Sequence, residues 1–199
     1  MKGWLFDGEE VEIPRYDFVN GVKIFEGNMM KLEKSDILLM EGIHALNPQL
    51  TSAVDQSKIF RVSISALSAL DISETDHGST TNKRLLRRIV RDNRTRGHSP
   101  EATILRWPSV RAGEIKNIFP YEENANVVFN SSMLYDLPLL KYYAEPLLEE
   151  IAETSPAYKK AQDLLNMLSN VVALKPSEIA VIPPTSILRE FVGGQKLTR

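Results

Sequence analysis

RLLRRIVRDNRTRG, residues 84–97, gathers six arginines (Arg84, Arg87, Arg88, Arg91, Arg94 and Arg96) in a chain whose formal net charge is −2. The spacing predicts a helix. Leu85, Leu86, Ile89 and Val90 recur on one arc of the helical period, and Arg84, Arg87, Arg88 and Arg91 share the opposite arc. Asn82, or Thr81 just before it, is the expected N-cap, and Gly97 the expected stop. A helix of this kind is anchored by its apolar side and offers four guanidinium groups on the other. Three partners suit such a face: water and surface carboxylates, nucleic acid, or phosphate. Taken alone, a charge run reads as a solvated face.

Upstream, residues 10–25, EVEIPRYDFVNGVKIF, read as two short strands around Asn20-Gly21, a strong hairpin signal for a type I′ turn. Ile37 to Met40 form a continuous apolar run of strand length, followed by Glu41 and Gly42. A strand without alternation predicts burial on both faces, as in a parallel sheet covered by helices. Lys58–Ser65 alternates and is expected to be a neighbouring strand, with a polar, turn-rich loop over residues 71–82. Downstream, Ser99 and Pro100 open a helix expected to run to Trp107. Residues 126–132 are a strand candidate. Two helical stretches follow, and a short helix capped by Thr185 or Ser186 ends at Gly193-Gly194. One domain covering residues 1–199 is the simplest organisation.

Composition narrows the class. Hydrophobic residues make up 43% and charged residues 25%, as in ordinary soluble globular proteins. A pI of about 6.0 argues against a dedicated nucleic-acid binder. The chain has 0 cysteines, so it has no disulfide, thiolate metal site or cysteine nucleophile, which suits a reducing cytoplasm. No apolar run approaches the ~20 residues that span a bilayer. His44, His77 and His98 show no metal-ligand spacing.

The order of PRYDF, ILLMEGI and RLLRRIVRD…RG resembles the second part of uridine kinases, P-loop nucleoside kinases related to phosphoribulokinase. STTNKRLLRRIVRDNRTRGHSPEATILRWPSVRAGEIKNIFPYEENANVVFNSS and IPPTSILREFVGG resemble a longer bacterial branch, in which a threonyl-tRNA-synthetase-like region precedes the kinase. The similarity runs from about Gly8 onward. It implies an α/β fold: part of a P-loop-kinase-like parallel sheet flanked by helices, with a β-hairpin and an arginine-rich lid helix. It also implies transfer of the ATP γ-phosphate to a nucleoside 5′-hydroxyl. Glu41 would then lie in the Mg²⁺ shell, and Tyr16 and Phe18 against the nucleoside. Arg88 would reach the nucleoside side of the cleft. Arg91 and Arg96 would bind ATP and act as the catalytic pair on the phosphoryl group in flight.

The departures are specific. No G-x-x-x-x-G-K-[ST] occurs; Gly3 and Gly8 have the glycine spacing, but Glu9 and Glu10 stand where Lys and Ser/Thr are needed. The family's phosphate loop and its acceptor-activating aspartate lie upstream of YDF, so this chain is expected to be the C-terminal portion, inactive alone. Gly21 stands where a pyrimidine-reading histidine is typical, His98 replaces a lid arginine, and Arg106 replaces a glutamine of the nucleoside site. Two rivals remain: a non-catalytic module binding RNA or an acidic partner, and a kinase for another acceptor such as a phosphorylated sugar. Nucleic acid is the weaker partner and no membrane partner is expected. A bare hydrophobic sheet edge predicts a homo-oligomer.

Overall fold

The computed structural model describes residues 8–17, 20–66 and 79–196. Phe18 and residues 71–78 of the expected loop lie outside them. The chain forms two compact units, Met1–Ser63 with Ile115–Val127, and Ile64–Glu114 with Val128–Arg199.

In the first unit, β1 (Val11–Glu12) pairs antiparallel with β4 (Met29–Met30), and β2 (Arg15–Asp17) with β3 (Val22–Ile24). The predicted hairpin is present, with Asp17 opposite Val22 and Tyr16 opposite Lys23. Its turn is not type I′: Gly21 takes positive φ, +70°, but Asn20 does not, and the Gly21 N–H donates to the Asp17 carbonyl at 2.8 Å. The Asp17 carboxylate caps the turn by accepting from the Asn20 backbone N–H at 3.2 Å.

Ile37–Met40 departs from expectation. The run is not a strand, and Ile37 and Leu39 are 93% and 92% exposed. Apolar composition supplies a reason to be buried but no hydrogen-bonding neighbour, and among the described residues no strand pairs with it.

A small parallel sheet is formed by β5 (Val62–Ser65) and β6 (Val127–Asn130). The Arg61 carbonyl accepts from Asn126 N–H at 2.9 Å and the Ser65 carbonyl from Ser131 N–H at 2.9 Å, so both strands advance together. Helices flank it, which makes the chain α/β.

The second unit carries the main core. α1 (Ser79–Arg96) buries Leu85, Leu86, Ile89 and Val90, as its periodicity predicts. It starts before the expected cap: Asn82 lies inside the helix, where its side chain accepts from Lys160 Nζ at 2.9 Å. α2 (Pro100–Asn117) begins as expected, with Ser99 Oγ accepting from Ala102 N–H at 3.1 Å. It continues through Pro108, beyond the predicted end at Trp107. Proline disfavours helix in the residue before it, but here Ile104 and Trp107 are buried, and packing outweighs that local bias. α3 (Asp136–Glu149) contributes Leu139, Leu140, Ala144 and Leu148, and α4 (Tyr158–Ser169) contributes Ala161, Leu164 and Leu168. After α5 (Pro176–Ala180), the short α6 (Arg189–Val192) inserts Val192 into the same core. Each fully buried leucine contributes roughly 1.5–3 kcal/mol relative to exposure.

Candidate phosphate-binding site

The arginines of α1 divide by partner. Arg84 forms an ion pair with Glu114 on α2, and Arg111 reaches the same carboxylate at 2.6 Å. Arg87 is buried, which corrects the expectation of four presented guanidiniums. Its NH2 donates to both Asp136 oxygens at 2.6 and 2.7 Å, and its guanidinium lies 5.2 Å from the Phe191 ring centre. Lys83 joins this cluster, 3.4 Å from Asp136 and 2.5 Å from Ser132 Oγ. Arg94 turns to the main chain of α6, donating to the carbonyls of Phe191 at 3.0 Å and Glu190 at 2.8 Å.

Arg88, Arg91 and Arg96 remain, the three assigned to ligand by resemblance, and the second unit holds all three. Asp92 serves two of them: Arg91 Nε donates to its Oδ1 at 2.9 Å, and Arg96 NH1 lies 3.4 Å from the same oxygen. Arg91 NH2 is buried and lies 2.8 Å from the same oxygen, an ion pair without hydrogen-bond geometry. Arg88 is half-buried, 5.7 Å from the Trp107 ring centre, and no carboxylate pairs with it among the described residues. Burial, then the charge of Arg91, pushes its pKa below the ordinary arginine value. Guanidinium stays protonated in proteins, so the shift marks a charge short of a counter-ion rather than a neutral group.

Among the described residues, Arg91 and Arg96 thus share one carboxylate and Arg88 pairs with none. Arg88, which pairs with no carboxylate among the described residues, suits phosphate oxygens, which accept from planar forks. Asp92, Asp136 and Arg94 escaped sequence reading. Only Asp92 carried a signal there, its i,i+4 spacing to Arg96.

Glu41 and Tyr16 belong to the first unit, and Phe18 lies outside the described residues. Tyr16 stands on β2, half exposed. Glu41 is an exposed carboxylate in irregular chain. Among the described residues no group of three or more histidine, aspartate or glutamate side chains could hold a metal ion. A lone exposed carboxylate is not by itself a Mg²⁺ site, since that ion seeks near-octahedral oxygen coordination.

The α/β fold, with its small parallel sheet flanked by helices, is that of a P-loop-kinase-like protein. Residues 4–137 match the Phosphoribulokinase / Uridine kinase family, and the chain belongs to that family. It is 31% identical over 106 residues to a uridine kinase of Staphylococcus haemolyticus (strain JCSC1435), covering 53% of this chain and 42% of the relative. A uridine kinase of Staphylococcus carnosus (strain TM300) is 30% identical over the same length and the same shares. The chain thus spans less than half the length of these relatives. No solved structure matches it. No helix among the described residues is long and apolar enough to cross a membrane.

Proposed function

We propose that this chain supplies the phosphate-gripping helix of a nucleoside kinase, in which the ATP γ-phosphoryl group passes to a nucleoside 5′-hydroxyl. The observation carrying this reading is that, among the described residues, Arg91 and Arg96 share Asp92 while Arg88 pairs with no carboxylate. Arg91 and Arg96 bind the triphosphate and neutralise charge that builds on the phosphoryl oxygens in transfer; Arg88 orients the acceptor side. Tyr16, Phe18 and Glu41 are the proposed nucleoside and Mg²⁺ contacts. The relatives' name favours a nucleoside over a phosphorylated sugar.

The two units are read as parts of one kinase-like domain, working in the cytoplasm. Without a G-x-x-x-x-G-K-[ST] motif in its 199 residues, the chain alone is inactive. It self-associates through exposed Ile37 and Leu39. Calorimetric titration with inorganic triphosphate tests the core of the reading: saturable binding that falls when Arg91 and Arg96 are both changed to Gln supports it. Binding unchanged by that double substitution refutes it. ATP-dependent phosphorylation of uridine by the purified chain would refute the inactivity.

A further inference from the structure

We infer that Arg94 is a positioning residue: with the C-terminal α6 it forms a clasp that orders the last turn of α1, on which Arg91 and Arg96 depend. Its meaning for ligand rests on the reading of those two arginines as phosphate-binding groups. Arg94 stands between them in sequence but turns away from Asp92, and its fork takes the two main-chain carbonyls at the end of α6, Phe191 and Glu190. Helix C-termini expose unsatisfied carbonyls with partial negative charge, which a guanidinium complements.

The far side of the clasp is shaped to receive it. Gly193 has φ +95°, and a Cβ built there would lie 3.3 Å from Arg94 NH1. Glycine therefore provides both the backbone conformation and the space. Gly194 follows at φ +78°. α6 is itself tied down: Arg189 NH2 donates to the Ile179 and Ile182 carbonyls at 2.9 and 2.7 Å, and Leu188 is fully buried. The helix end that must stay in register for Arg91 and Arg96 to share Asp92 is thus pinned to an element rooted in the core.

Arg94 is exposed, so Arg94→Gln leaves the hydrophobic interior intact. The experiment compares the whole chain with Arg94→Gln and Gly193→Ala by amide hydrogen exchange and by inorganic triphosphate titration. Expected are exchange of the Asp92–Arg96 amides at least about tenfold faster in both variants, with Leu85–Ile89 unchanged, and triphosphate affinity lowered about tenfold in both. Unchanged exchange at Asp92–Arg96 overturns the clasp. Affinity lowered by Arg94→Gln but not by Gly193→Ala also overturns it, because Arg94 would then bind phosphate directly. If the parent chain binds no triphosphate, the kinase reading fails, and exchange alone decides whether the clasp stands.

Discussion

Arg87 and Asp136 meet side by side in the interior of the second unit, one NH2 group bonding both carboxylate oxygens at 2.6 and 2.7 Å. The pair joins the middle of α1 to the first residue of α3 and removes one arginine from the ligand-facing set. Lys83 adds a second positive charge to the same carboxylate.

Asp136→Ala leaves Arg87 and Lys83 buried without their anion. Breaking a buried pair from one side costs about 3–5 kcal/mol. Urea unfolding followed by circular dichroism should show that loss, and a change under about 1 kcal/mol would contradict the assignment.

Burial is the first cause lowering the Lys83 pKa, with Arg87 adding to it and Asp136 opposing. The unfolded chain then holds this proton more tightly than the folded one. The cost of the buried ammonium is fully present below the folded pKa and is relieved as pH rises towards 10.5, the ordinary lysine value. In alkaline solution, stability of the parent should therefore rise relative to Lys83→Met. A difference flat with pH would rule this out.

Leu86 is fully buried on α1. Leu86→Ala should cost about 2–5 kcal/mol through lost apolar burial and the cavity left behind. Thermal unfolding measures it.

Arg91 and Arg84 stand on the same helix but differ in role. Arg91→Gln should weaken inorganic triphosphate binding by about tenfold, the loss of one charge-assisted hydrogen bond. Arg84→Gln should leave it within about twofold, since Arg84 is spent on Glu114.

Ile37→Lys together with Leu39→Lys should reduce self-association without lowering the melting temperature, because both side chains are already in solvent. Sedimentation over a concentration series reads the outcome; oligomers that persist in the variant would place the interface elsewhere.

Local patterns in the sequence carried the helices and the hairpin. The apolar arc of α1, the Ser99 cap and the hairpin pairing of Tyr16 with Lys23 all depend on neighbours a few residues away, so they were legible, although the turn type was not. Ile37–Met40 was not, because a strand exists only with a partner, and apolar composition says nothing about whether one is there. The arginine set was half legible. Its helical face could be drawn, but Asp136 lies 49 positions from Arg87, and Phe191 lies 97 from Arg94. Arg84 likewise meets Glu114 30 positions away, and contacts at such separations leave no trace in a local pattern, so three of the six arginines could not be separated from those free to meet a ligand.

The grip of Arg94 on α6 is made to peptide oxygens, not to side chains. Such a joint is blind to the identity of residue 190: Glu190 can drift through evolution or be exchanged in the laboratory without loosening it. Only the guanidinium itself and the glycine that makes room for it are irreplaceable, so sensitivity to mutation here should be confined to a few positions rather than spread along the tail.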